Sequence, residues 1–452
     1  MERLTELRYD ALAGYARSPW TWITSNELEW YSDGHEKVLG VIIQDTSDRD
    51  FACVVMGRDR IGRYRAVHIS PFVKTVGRAR AEMSELLPAY ALKDPIEFEQ
   101  EDEPNADVDF FTAIHDPADQ NPSFHEVTTR LEFSPAKDIM EAMMYYFQDP
   151  DGNFVEQFQS TAFNARLWEL YLFAVLGERR LYIDRDHPAP DYSCRGIGGE
   201  FFIEAVTANP SMLGGVNVET GRPTTSPEFE RYMEQYLPLK FSGPLTQKLR
   251  RRYWEEQHIG DRPILLAIAD YHYPGSQKWS QSALARYLYG LVHQLERDAA
   301  GHLIIKWIPI QEHVWGSKRV QSGFFHLPDA EHISAVISTR EADIWKFNRM
   351  GLKAGFGAAG IQMVRVGTRC VPDPDASEPE PFAVEVHGPD YEEAWIDGLE
   401  IYHNPNALHP LDPQAFPGAV HHLLEEGRIV TYFNGEGMFG TETFFPNQAV
   451  RP

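Results

Sequence analysis

Cysteine is scarce in this sequence: Cys53, Cys194 and Cys370 are the 3 cysteines among 452 residues, and no two of them form a CxxC pair. This spacing argues against a disulfide framework or a structural zinc site, and it suits a reducing compartment. No apolar run approaches the roughly 20 residues that a membrane-spanning helix needs. The first residues also lack the apolar core of a secretory signal. We therefore expect a cytoplasmic protein with no membrane partner.

Basic residues are scarce as well, since the chain has 42 lysines and arginines compared with 67 acidic residues, and the net charge is −25. A chain this acidic should be soluble and should repel polyphosphate at long range. An enzyme of this composition that acts on nucleic acid therefore needs a local basic face. The length of 452 residues suggests two or three domains.

The order of strand-like and helix-like patterns predicts three parts. Residues 1–125 hold four runs rich in Val, Ile and aromatic residues, then a helix and an acidic linker rich in turn formers. Residues 126–300 alternate helices with short strands and contain the candidate site. Residues 301–452 resemble an α/β extension, to which the sequence assigns no role.

Several segments receive a local prediction that the structure can test. Apolar periodicity predicts helices over 154–176, 243–256 and 282–297. The polar cluster KFNRMG (346–351) suggests a loop. GFGAAG (355–360) has the glycine spacing of a dinucleotide site, but a strand-like segment follows it where a helix is needed, so we reject that function.

Three acidic residues stand out between residues 166 and 210. Glu169 lies in a predicted apolar helix, Asp191 opens a predicted strand, and Glu204 lies within the next strand, EFFIEAV (200–206). The turn RGIGG (195–199) joins the two strands into a predicted hairpin. A carboxylate in so apolar a strand is costly unless a cation or hydrogen bonds satisfy it. Oxygens of three acids would form a hard cage of the kind that Mg²⁺ or Mn²⁺ prefers.

This pattern resembles the PD-(D/E)xK phosphodiesterase superfamily, which has the restriction-endonuclease-like fold. The PD is Pro190–Asp191, the (D/E) is Glu204 and the helix acid is Glu169. The resemblance covers roughly residues 154–272 and rests on a short motif. It implies an α/β (α+β) fold, with a mixed sheet flanked by helices between the β-rich N-terminal module and the C-terminal α/β extension. It also implies a metal-dependent nuclease acting in restriction, repair or defence against foreign DNA.

The sequence departs from this motif at one position, because Val206 stands where the family lysine should follow Glu204. Some members of the superfamily carry that lysine on a nearby helix. We expect Lys248 to replace it here, with Lys240 as the second choice. Either lysine would stabilise the charge of the transition state or position the attacking water.

The helix that carries Lys248 also supplies the local basic face. Arg250, Arg251 and Arg252 are followed by Tyr253 and Trp254, a combination of charge and rings that can contact phosphates and unpaired bases. We therefore predict a nucleic-acid partner, with DNA preferred over RNA. A solvated ridge with aromatic core anchors remains the alternative interpretation.

Two other functions stay open at this point. The acidic charge and the missing lysine favour a catalytically inactive scaffold of the same fold, which would bind a protein or nucleic acid. A protein partner or a homodimer fits that reading. A hydrolase that uses paired carboxylates on another substrate would need two acids facing a cleft, one of them with a raised pKa.

Overall fold

A computed structural model gives the fold and describes residues 1–101, 109–149, 152–196, 198–297, 303–370, 378–433 and 437–446. The chain is mixed α+β, with an eight-stranded mixed sheet and several antiparallel sheets flanked by helices. The predicted fold class is thereby confirmed at this level. Part of the predicted acidic linker, residues 102–108, and the boundary near residue 300 lie outside the described residues.

The N-terminal module is an antiparallel sheet packed by one long helix. Its elements are β1 (Glu2–Leu4), α1 (Glu6–Ala13), α2 (Thr21–Thr24), β2 (Ser25–Ser32), β3 (Val38–Asp45), β4 (Phe51–Arg58), β5 (Tyr64–Ile69) and α3 (Val76–Ala91). The five strands pair in chain order. Val38 and Ile42 of β3 pack with Met83 and Leu87 of α3 in a core of their own.

Four helices lead into the central part of the chain. They are α4 (Pro122–Thr129), α5 (Ser134–Met144), α6 (Phe154–Gln159) and α7 (Phe163–Glu178). The single helix predicted over 154–176 is wrong, because residues 160–162 separate α6 from α7. Most of α7 is buried on every side, as expected of a helix with apolar residues all round. Trp168 fixes α7 to the sheet through a 3.0 Å hydrogen bond from its indole N–H to the Ala267 carbonyl.

The remaining elements follow in chain order. The first group is β6 (Tyr182–Asp184), β7 (Tyr192–Gly196), β8 (Gly199–Ala208), β9 (Met212–Leu213), β10 (Val216–Asn217), α8 (Ser226–Arg231), α9 (Leu237–Leu249), β11 (Ile264–Asp270), α10 (Gln281–Tyr289) and β12 (Leu291–Arg297). The second group is β13 (Leu303–Pro309), β14 (Glu312–Trp315), β15 (Lys318–Gln321), β16 (Ala335–Thr339), α11 (Ile344–Lys353), β17 (Val364–Arg369), β18 (Glu380–Glu385), β19 (Leu399–His403), β20 (Val420–Glu425), β21 (Arg428–Tyr432) and β22 (Met438–Phe444).

The central sheet has the strand order β21-β20-β19-β16-β11-β8-β7-β6. β8, β11 and β16 run parallel, whereas β7 and β8 form the antiparallel hairpin that the sequence predicts. Four of the eight strands, β16 and β19 to β21, come from the part predicted as a C-terminal extension. The sheet therefore crosses the boundary that we predict at residue 300.

The alternation of β8 decides which side of the sheet each side chain faces. Phe201 and Ile203 point to the core formed with α5 and α7, whereas Phe202 points to the core formed with α9 and α10. Glu204 alternates with Ile203, so it shares the Phe202 face and lies under α9. The face predicted for Glu204 and Phe202 therefore agrees with the strand register.

Three further local predictions are wrong. The helix predicted over 243–256 is instead α9, which ends at Leu249, and only a short 3₁₀ turn at Tyr253–Glu255 follows. The helix predicted over 282–297 ends at Tyr289, because Gly290 turns the chain with φ 67° and β12 begins at Leu291. The KFNRMG cluster is not a loop, since it lies within α11.

Candidate active site

Lys248 of α9 forms a salt bridge with Glu204 of β8, 44 residues away in the chain. The Glu204 side chain is almost fully buried, whereas the Lys248 side chain remains 26% exposed. The amphipathic pattern of α9 accounts for this contact, because Leu245 and Leu249 lie in the core beside Phe202 and carry the intervening Lys248 over the sheet. Lys248 thus lies beside Glu204, which is the neighbour expected for it from the sequence.

Asp191 stands beside this pair at the start of β7. Its Oδ2 accepts a 2.7 Å hydrogen bond from the Ala205 backbone N–H, which lies next to Glu204 in β8. Burial raises the pKa of Asp191 to about 7, and the negative charges of Glu204 and Glu169 add to the rise. The hairpin therefore brings two carboxylates into mutual repulsion, an arrangement that a cation would relieve.

Glu169 does not complete a three-acid cage. Its two oxygens are held by Arg166 at 2.8 Å and by Arg185 at 3.2 Å. Burial raises the pKa of Glu169, and the two guanidinium groups oppose that rise. The Nε of Arg185 also donates a 3.1 Å hydrogen bond to the backbone carbonyl of Asp191. Glu169 therefore positions Asp191 through Arg185, and the role of direct metal ligand that we predict for it does not fit the structure.

One oxygen of Glu204 is left for a ligand. Its Oε2 is buried and has no hydrogen-bond partner among the described residues, while Oε1 carries the contact with Lys248. The buried Tyr253 hydroxyl lies within reach of the same carboxylate, and burial, that negative charge and a hydrogen bond to Glu204 raise the pKa of Tyr253. Apart from that hydroxyl, Oε2 has no donor near it in the described part of the chain, and a buried carboxylate oxygen so weakly satisfied suits a position for a cation.

Lys240, the second-choice lysine, contacts other groups than Asp191 and Glu204. Its ammonium group contacts Glu219 at 2.7 Å, the Asn209 carbonyl at 2.7 Å and the Ser211 hydroxyl at 3.1 Å. Lys240 and Lys248 are separated by eight residues of α9, or about 12 Å along the axis. The same helix thus carries one lysine in the candidate site and one outside it.

The arginines of the predicted basic ridge are exposed, but its two aromatic residues are not free to stack on bases. Arg250, Arg251 and Arg252 are all exposed and follow the end of α9. Arg252 also forms a 3.0 Å salt bridge with Glu255. Tyr253 is buried, and the Trp254 ring stacks on His332 with centroids 4.3 Å apart. The arginines can therefore contact phosphates, whereas neither ring offers two open faces to a base.

The donor set fits a divalent ion held by two carboxylates. Among the residues described by the structure, no group of three His, Cys, Asp or Glu side chains is arranged to hold a metal ion. Mg²⁺ is commonly bound through one or two carboxylates, with waters and substrate phosphates filling the other positions. Asp191 and Glu204 provide two carboxylates on adjacent strands and match that requirement.

Sequence reasoning missed the residues that surround the acids. Arg166 stands three residues before Glu169, a helical spacing that brings side chains together, so this partner could have been found from the sequence. Arg185 and Tyr253 reach the site only through the path of β6 and the turn after α9. No local pattern marks those two residues.

Comparison of the chain with protein-family models, curated proteins and solved structures finds no match. In the described part of the chain, none of the helices has the length and apolar character required to cross a bilayer.

Proposed function

We propose that the protein is a metal-dependent nuclease that hydrolyses phosphodiester bonds, with DNA preferred over RNA as the substrate. The observation that carries the proposal is the contact between Lys248 and Glu204, which restores a lysine to a motif whose sequence lacks it. Asp191 on the neighbouring strand supplies the second carboxylate. A role in restriction, repair or defence follows from the resemblance and belongs to the same proposal.

Each residue has a stated task in this proposal. Asp191 and Glu204 would hold Mg²⁺ or Mn²⁺, which supplies charge neutralisation and a more acidic water when bound. Lys248 would place its ammonium group beside the phosphoryl oxygens and oppose the negative charge of the transition state. Glu169 would keep Arg185 in place, and Arg185 would hold the Asp191 backbone.

The exposed arginines give the substrate a place to bind despite the net charge of −25. Arg250 and Arg251 follow the last turn of α9, directly after the helix that carries Lys248. A strand that contacts these arginines through its phosphates would lie close to the candidate site. Such contacts are independent of base sequence and weaken as salt concentration rises.

The test is hydrolysis of plasmid DNA, linear duplex DNA, single-stranded DNA and RNA with Mg²⁺ or Mn²⁺. We expect Asp191→Asn, Glu204→Gln and Lys248→Met to lower the rate by about 100-fold or more. Lys240→Met is the matched control, because it removes a lysine from the same helix outside the site. Absence of metal-dependent hydrolysis of all four substrates, or site variants as active as the control, would reject the proposal.

The arginines have a separate test. Replacing Arg250 and Arg251 with glutamine should weaken binding of a duplex, and the slope of log affinity against log salt should fall by about one for each arginine that binds a phosphate. Binding is measured with the Asp191→Asn protein, so that cleavage does not interfere. An unchanged affinity and salt slope would remove the arginines from the interface.

A catalytically inactive scaffold of the same fold is the second candidate. The salt bridges from Arg166 and Arg185 to Glu169 favour the scaffold, because they leave only two of the three predicted acids to bind an ion. Calorimetry with Mn²⁺ separates the two candidates. Binding that disappears in Asp191→Asn favours the nuclease, whereas equal heats for both proteins favour the scaffold.

A further inference from the structure

The molecule contains a large cavity that the candidate active site does not use. The cavity has a volume of about 1090 Å³ and lies between the segment from Leu7 to Trp22 and the central part of the chain, where α7 and the β7–β8 turn form its other wall. Neither Asp191 nor Glu204 lines it. Asp191 and Gly196 stand at opposite ends of β7, about 16 Å apart at the rise of an extended strand.

The wall formed by the N-terminal segment is fixed in place. Tyr15 stacks on Phe173 of α7 with ring centroids 4.7 Å apart. It also lies so close to Gly177 that an added Cβ there would stand 2.6 Å from the Tyr15 ring. The N-terminal segment and α7 therefore meet through close packing, and the cavity is a built feature of their junction.

Arginines line the cavity in a protein that is strongly negative overall. Four arginines line it, whereas its two carboxylates are already engaged: Asp10 pairs with Arg17 at 2.5 Å, and Glu178 accepts backbone N–H bonds from Trp395 and Ile396. Arg17 is also bound by Glu27 at 2.6 Å, and Arg179 lies 3.8 Å from Glu178, so the positive charge left for a ligand is that of Arg180 and Arg195. A ligand that carries negative charge is favoured inside.

Arg180 is the arginine most available to such a ligand. Its guanidinium lies over the Trp22 ring, 3.1 Å from the centroid, and it forms no salt bridge among the described residues, although Asp10, Glu6 and Glu27 lie near enough to act on its charge. The residue adopts a left-handed backbone with φ 60°, a conformation uncommon for arginine, and this turn directs the chain from α7 into β6. Arg195 on the β7 side of the cavity lies over Tyr182, and its nearest carboxylate, Glu200, is 3.8 Å away.

An exposed indole lines the same cavity. Trp20 lines the cavity and is 66% exposed, which leaves its ring free to stack. Guanidinium groups match the geometry of phosphate, and an indole face stacks on a nucleobase. The volume is at the upper end of the range of ligand sites, so a nucleotide fits with room to spare.

We infer that this cavity is a binding site for a 5′-phosphorylated nucleoside, with the phosphate held by Arg180 and Arg195 and the base stacked on Trp20. The ligand is either a free nucleotide or the 5′ end of a strand, since both present the same groups. The site is separate from Asp191 and Glu204, so it does not depend on the nuclease proposal.

Calorimetric titration of the full chain with AMP, GMP, CMP and UMP tests the inference, with adenosine and inorganic phosphate as partial ligands. We expect at least one nucleotide to bind with a Kd below about 1 mM and more tightly than either partial ligand. Arg180→Gln and Trp20→Ala should each weaken binding about tenfold or more. Trp20 is exposed, so its replacement leaves the core intact.

Two variants serve as controls. Arg319→Gln removes an exposed arginine from β15, outside the cavity, and should bind as the wild type does. Asp191→Asn should also bind normally, which separates this result from any failure of the nuclease proposal. Tighter binding of a 5′-phosphorylated octanucleotide than of the mononucleotide assigns the site to a strand end, and the reverse order assigns it to a free nucleotide.

Three results would overturn the inference. These are no binding of any of the four nucleotides, binding that Arg180→Gln and Trp20→Ala leave unchanged, and adenosine or phosphate binding as tightly as the nucleotide.

Discussion

Replacing Asp191 with asparagine should stabilise the metal-free protein at neutral and alkaline pH. Burial and the neighbouring charge of Glu204 raise the pKa of Asp191 from 3.8 to about 7. Asparagine has nearly the same shape, and its carbonyl can accept the hydrogen bond from the Ala205 N–H. The variant carries no charge at this position, so it avoids the free energy of ionising a buried carboxyl group beside another one.

The size and sign of the effect follow from the pKa. Below about pH 4 the carboxyl group is protonated in both the folded and the unfolded state, and it contributes no pH dependence. Between about pH 4 and pH 7 the folded state keeps a proton that the unfolded state loses, so the contribution to stability falls as the pH rises. A rise from 3.8 to about 7 corresponds to about 4 kcal/mol, at about 1.4 kcal/mol for each pKa unit. That full destabilisation is present above pH 7.

Urea unfolding at pH 5, 6, 7 and 8 with a chelator measures the effect. The difference in unfolding free energy between Asp191→Asn and the wild type should grow with pH and level off above pH 7. Asp186→Asn is the matched control, because Asp186 is exposed and close in sequence. Mn²⁺ at pH 8 should stabilise the wild type more than Asp191→Asn. Parallel stability curves for the two proteins from pH 5 to 8 would refute the reasoning.

Three further predictions concern buried charge. Lys248→Met should lower the unfolding free energy by about 1–3 kcal/mol, a range reduced because the lysine is 26% exposed. Adding Glu204→Gln should recover most of that loss in a double-mutant cycle. Additive effects of the two substitutions would contradict a direct interaction. Arg349→Met should lower the free energy of unfolding by about 3–5 kcal/mol, since it leaves the buried carboxylates of Glu393 and Glu341 short of a partner. A change in the urea midpoint no larger than that of a surface variant would contradict this prediction. Burial lowers the pKa of His403 from 6.5 to about 4. On acidification the unfolded state therefore binds a proton first, and the free energy of unfolding falls by up to about 3 kcal/mol between pH 6.5 and pH 4. His403→Gln should flatten this dependence of stability on pH in thermal unfolding, and an unchanged dependence would show that other groups cause it.

The candidate site was largely predictable because its elements follow local rules. The apolar alternation of residues 200–206 placed Glu204 on an inner face, and the turn at 195–199 placed Asp191 on the adjacent strand. Lys248 was chosen because the resemblance implies a lysine on a nearby helix, and the helix after the hairpin carries it. The environment of Glu169 was not predictable in full, since Arg185 reaches it from a separate strand.

Two of the wrong predictions were overridden by contacts outside the segment on which each prediction was based. Lys346 and Arg349 look like loop residues because charged side chains are rarely buried, yet Glu393 lies within 2.9 Å of both. That partner is more than forty residues away in the chain. Helical periodicity over 282–297 was likewise overridden, because residues 291–297 pair with β13 after the turn at Gly290.

The pairing of β11 with β16 determines when the central sheet can be completed during synthesis of the chain. β11 keeps an open edge until Ala335–Thr339 has left the ribosome, and β16 in turn waits for Leu399–His403. A nascent or truncated chain therefore displays the edge of a strand that the finished protein buries, and such an edge recruits other chains. Fragments that stop near residue 300 should aggregate. The sheet that carries Glu204 is complete only when the last third of the chain has been translated.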